Sequence, residues 1–120
     1  MVNEENCCNE EKCCNSVKTS LEKCLKNMPS DSNVKFQAEF FKAISDPARI
    51  KIIYALAAKS ELCVCELMEI TGMQQTVVSH HLKVLKYAKL ISDRKSGKWV
   101  YYSLTDRRAF EVLKAIEENP

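Results

Sequence analysis

Apolar positions along this chain follow a helical period in five successive stretches and switch to an alternating one only near residue 91. Residues 1–15 have no such period and are expected to form a flexible arm. Over residues 16–28, Val17, Leu21, Cys24, Leu25 and Met28 share one face of an amphipathic helix, which Pro29 ends by excluding its predecessor from helical geometry. "PSDS" is a short linker with capping residues. Val34, Phe36, Phe40, Phe41 and Ile44 then make a stripe wide enough for a buried or partner-facing helix.

Asp46 and Pro47 open the next helix, an N-cap oxygen followed by a ring whose missing N–H is not needed in the first turn. Its core face is Ile50, Ile53, Tyr54, Leu56 and Ala57. A short helix from about Glu61 to Thr71 turns Leu62, Leu67 and Ile70 inward and stops at Gly72, the place for a left-handed cap. Only Gly72 and Met73 separate it from "QQTVVSHHLKVLKYAKL", which carries Val78, Leu82 and Leu85 on one side, so the pair forms a helix-turn-helix. "LISDRKSGKWVYYSL" reads as a β-hairpin wing, its glycine placed for a two-residue turn. A last helix, capped by Thr105 or Asp106, carries Phe110, Leu113 and Ile116. The fold class is mainly α with a small β-hairpin, a winged helix-turn-helix over residues 33–120.

Charge gives this pattern a partner. Net charge is only +2, but residues 1–32 carry six acidic and four basic groups. Residues 74–98 hold Lys83, Lys86, Lys89, Arg94, Lys95 and Lys98 against Asp93 alone, a block suited to a polyanion. A solvated lysine face would look the same by charge. The coincidence of turn, helix and basic wing favours double-stranded DNA. Gln74, Gln75, Thr76, Ser79, His80 and Lys83 form the polar face that would meet bases and phosphates, and Arg94, Lys95 and Lys98 at the wing tip would grip backbone or minor groove. His80 and His81, about 100° apart on a helix, cannot share one ion, so His81 is expected to pack or hydrogen-bond inside the domain.

No apolar run approaches the ~18 residues of a membrane span, and the acidic start lacks the pattern of a secretory leader. A cytoplasmic protein is expected, whose seven cysteines are thiolates for metal or redox chemistry. With two glycines in all, no CxxC and no convincing acid–base pair, the chain is not expected to be an enzyme or to take an organic cofactor or small organic substrate.

Residues 34–106 resemble the ArsR/SmtB family of winged-helix metal-responsive repressors, through "KAISDPARIKIIYALA", "ELCVCELMEITGM", "TVVSHHLKVLKYAKLI" and "DRKSGKWVYYSL". The resemblance implies a homodimer, joined through the first and last helices of the domain, that leaves its operator when metal binds. In branches that sense soft ions, "CVC" supplies thiolates, here Cys63 and Cys65. In an ideal helix these point about 200° apart, so one ion reaches both only if the first turn is distorted. Some arsenite sensors have a third cysteine where this chain has Met68. Cadmium and lead sensors, and some arsenite sensors, draw cysteines from an N-terminal arm, which implies Cys13 and Cys14. Cys7 and Cys8 are alternates, a second weak site or reactive tail thiols. The implied inducer is a thiophilic ion, Cd(II)/Pb(II) or As(III)/Sb(III). Cys24 is expected to be core filler. The family's other metal site, on the last helix, is not expected, because Arg108 stands where a histidine is needed after Asp106. A thiol-redox regulator and a regulator with a structural metal are the competing readings.

Overall fold

The computed structural model describes residues 20–118, which divide into two units between Lys35 and Phe36. The arm and its Cys7, Cys8, Cys13 and Cys14 lie outside the described residues. In the first unit, residues 20–27 are helical (α1) and every side chain from 20 to 35 is exposed. Cys24 is therefore not core filler: it is exposed, as are Leu21, Leu25 and Met28 of the same apolar stripe. Helix α2 (Asp31–Ala43) starts within the expected linker, because the Ser30 hydroxyl accepts the Asn33 N–H at 3.2 Å and caps the first turn.

The second unit continues α2 and adds α3 (Pro47–Ala58), β1 (Leu62–Cys63), α4 (Val64–Thr71), α5 (Gln75–Tyr87), β2 (Ile91–Ser96), β3 (Trp99–Leu104) and α6 (Arg108–Ala115). Asp46 accepts the Ala48 N–H at 2.8 Å ahead of Pro47, the predicted start of α3. Val78, Leu82 and Leu85 of α5 are buried as their spacing requires and pack with Ile52, Ile53, Leu56, Leu67, Ala109 and Leu113 in one core. Ile52 is fully buried while Ile50 is only partly so; the stripe of α3 lies a little round from the predicted one. Gly72, at φ +71, turns the chain out of α4, and its N–H bonds the Met68 carbonyl at 2.8 Å.

The hairpin is part of a three-stranded antiparallel sheet ordered β1-β3-β2. The predicted helix from Glu61 gives up its first turn to β1, where Leu62 pairs with Tyr102 and Cys63 with Tyr101. Leu62 is buried from a strand, and Ile70, expected inward, is 47% exposed. At the wing, Ser96 pairs with Trp99 and Gly97 takes φ +61 at the first position of a two-residue turn, the conformation of a type II′ hairpin. The N-cap of α6 is Arg107, one residue past the predicted Thr105 or Asp106; Asp106 accepts the Arg108 N–H just ahead of the helix, while the Thr105 hydroxyl donates to the Lys89 carbonyl. Ile116 lies past the end of α6 and is exposed.

Candidate DNA-reading surface and thiol pair

Helix α5 is held by its buried stripe, which leaves the polar face outward. Gln75, Thr76, Ser79, His80 and Lys83 line one shallow depression of about 300 Å³, and Gln74 is exposed just ahead at the N-cap. Amides, hydroxyls, an imidazole and an ammonium thus share one concave strip, a set that can pair with base edges and phosphates. His81 turns inward. Its side chain is mostly buried, with Nε2 3.9 Å from the capping carboxylate of Asp46.

On the wing, Lys95 and Lys98 are exposed at or beside the turn, with the Lys98 ammonium 6.0 Å from the Trp99 ring. Arg94 stands back from the tip and is tied down. Its Nε and Nη2 donate to the two carboxylate oxygens of Glu61 at 2.9 and 3.0 Å, and Cζ lies 5.1 Å over the Tyr101 ring. Hydrogen bonding from Arg94 holds the Glu61 carboxyl below its usual range. Lys86 is similarly paired with Asp93 at 3.0 Å.

Cys63 is half-buried in extended backbone (φ −87, ψ 169) at the N-cap of α4, and Cys65 is exposed in its first turn. Because Cys63 belongs to a strand, the 200° separation of an ideal helix does not apply to the pair. Glu66 completes the cap: its Oε1 accepts the Cys63 N–H at 3.1 Å, and its Oε2 meets Lys59 Nζ at 2.7 Å. Hydrogen bonds from Lys59, and then from the Cys63 N–H and thiol, pull the Glu66 carboxyl down to about 2. The signal for this lay in the sequence as a capping box with cysteine in place of the hydroxyl residue, C-x-x-E. Two soft sulfurs suit a thiophilic ion but are an incomplete set, since such ions prefer three or four. Among the described residues no group of three or more potential ligands is close enough to hold a metal. Met68 packs partly buried against the core. Asp106 is engaged bidentately by Arg108 at 3.0 and 2.9 Å.

Among the described residues no helix is long and apolar enough to cross a membrane. The profile of the "Bacterial regulatory protein, arsR family" matches residues 46–93. An uncharacterized HTH-type transcriptional regulator of Methanocaldococcus jannaschii is 40% identical over 81 residues, 68% of this chain and 91% of that protein. A homolog of the cadmium resistance transcriptional regulatory protein CadC from Staphylococcus aureus is 43% identical over 64% of each chain. The arsenical resistance operon repressor of Bacillus subtilis is 44% identical over 61% of this chain and 70% of that protein. Among solved structures, the homodimeric winged helix-turn-helix DNA-binding domain Mb0332 of Mycobacterium bovis superposes with a TM-score of 0.64 at 26% identity, over 75% of this chain and 85% of that one.

Proposed function

The chain belongs to the arsR family of bacterial regulatory proteins and is a transcriptional repressor of that class, not an enzyme; we propose that a thiophilic ion bound by Cys63 and Cys65 releases it from DNA. The observation that carries this reading is the position of the two thiols. They open α4, and one tight turn at Gly72 joins α4 to the DNA-reading helix α5. Cys13 and Cys14 supply the missing sulfurs, with Cys7 and Cys8 as alternates, and the ion is Cd(II)/Pb(II) or As(III)/Sb(III). The names of the cadmium and arsenical relatives support that ion class.

The working form is a homodimer. Phe36 and Phe41 of α2 leave 45% and 52% of their surface bare, an apolar face that a second copy would cover, and the Mycobacterium bovis domain is homodimeric. Two copies set their α5 helices against half-sites one DNA turn apart, with Gln74, Gln75, Thr76, Ser79, His80 and Lys83 in the major groove and Arg94, Lys95 and Lys98 beside it. Ion capture biases the dimer toward a geometry that fits DNA less well. Couplings of this kind are about 1–3 kcal/mol, roughly 5- to 150-fold in affinity, enough to empty an operator. Thiols lose protons as they bind, so sensing weakens as pH falls.

Operator binding by the reduced protein, followed by fluorescence anisotropy with Cd(II), Pb(II), As(III) or Zn(II), tests the proposal. A soft ion should release the parent and leave Cys63→Ser bound, and peroxide in metal-free buffer should do nothing. Equal release of parent and Cys63→Ser, or no release by any ion, would overturn it.

A further inference from the structure

Strand β1 is two residues long, yet it stands between the candidate ion site and the wing. Its register puts Cys63 opposite Tyr101, and the hairpin register puts Tyr101 opposite Arg94. Residues directly opposite in a sheet share a face. Cys63, Tyr101 and Arg94 therefore form one row across all three strands, on the side away from Leu62 and Tyr102, which pack on the core. Glu61, two residues before Cys63, reaches across β3 to close both carboxylate oxygens on the Arg94 guanidinium. That guanidinium also rests over the Tyr101 ring. On the other side of Cys63, Glu66 and Lys59 pin its backbone to the start of α4.

Resting on the ion-sensing reading above, we propose that the Glu61–Arg94 pair, bedded on Tyr101, is the link through which occupancy of Cys63 is felt at the wing. Ion capture draws the Cys63 sulfur toward further thiolates. Joined to β3 by two ladder pairs and pinned to α4 by Glu66, the strand hands that pull on to its neighbours, and Glu61 moves with it. Arg94 then either follows the carboxylate or loses it, and in both cases the basic wing changes its stance beside α5. Phosphate contacts from a wing bear directly on DNA affinity, so a small shift at β1 is read as release. The pair is exposed at both ends, where an ion pair adds little to stability. Its removal should therefore separate coupling from folding.

The test uses full-length, reduced Glu61→Gln beside the parent, with Cd(II) and As(III) as probes and three readouts. Ion binding is followed by thiolate-to-ion charge-transfer absorption and DNA binding by anisotropy. Emission of Trp99 reports the wing directly, since it is the only tryptophan in the chain and shares its strand face with Tyr101. Glu61→Gln should bind the ion and the ion-free operator as the parent does, while ion-induced release falls from the 5- to 150-fold range to less than about 2-fold. The ion-induced change in Trp99 emission should vanish with it. Parent-like release by Glu61→Gln overturns the link, as does loss of ion binding in that variant, which would make Glu61 part of the ion site. If the parent itself ignores every ion, it is the sensing reading that fails, and that is visible before any variant is made.

Discussion

At the scale of single residues, the chemistry concentrates on Glu66. Its carboxylate is shared by the Lys59 ammonium and the N–H of the candidate ligand Cys63, and its pKa falls from 4.5 to about 2. A carboxyl whose folded pKa lies below its unfolded one stabilises fully above the unfolded value and loses that contribution as pH falls through the folded one. The contribution from Glu66 is therefore complete above about pH 4.5 and disappears toward about pH 2. Urea midpoints of the parent should drop across this window more steeply than those of Glu66→Gln, and parallel curves would show that the carboxylate does not hold the strand-to-helix junction. The same geometry makes Cys63→Ser a fair control for sensing. Serine is a favoured N-cap residue, so loss of ion response in that variant reports the missing sulfur and not an unravelled α4.

Elements whose signals are local were legible in the sequence, and those that depend on a distant partner were not. The Asp46–Pro47 start of α3 and the Val78, Leu82 and Leu85 stripe of α5 each depend on neighbours within a few turns, and both stand as predicted. Strand β1 does not, because its pairing with Tyr101 and Tyr102 lies about forty residues away in sequence, and two residues are too few to show an alternating period. The candidate DNA face was visible for the first reason. The setting of Cys63 was hidden for the second, since Glu61, Arg94 and Tyr101 meet only through the sheet. The hairpin turn allows a direct test of local coding. A Cβ at Gly97 would touch nothing within 4 Å, so its φ of +61 is the only obstacle to a side chain. Gly97→Ala should cost about 1–2 kcal/mol by denaturant unfolding, and Gly97→Asn less, because asparagine tolerates left-handed backbone. Equal stability of parent and Gly97→Ala would mean the turn is remade in another form.

Across the whole molecule, charge is divided by role. Residues 1–32 are net acidic and carry five of the seven cysteines, whereas the basic block belongs to α5 and the wing. A net acidic segment adds no electrostatic hold on DNA. Within the basic block, ion pairs divide the cations again. Lys86 is committed to Asp93, whereas Lys95 and Lys98 stand exposed at the wing tip. Each phosphate neutralised on B-DNA steepens the plot of log affinity against log salt by about 0.9. A homodimer that places both wings on DNA should therefore lose about 1.8 from that slope on Lys95→Ala or Lys98→Ala, one contact for each subunit. Lys86→Ala should change it far less, because the side chain removed was already answered by a carboxylate. Anisotropy titrations of the ion-free protein over a series of potassium chloride concentrations measure this. A slope that Lys86→Ala lowers as much as Lys95→Ala does would show that DNA breaks the Lys86–Asp93 pair, and that α5 grips phosphate along its whole length.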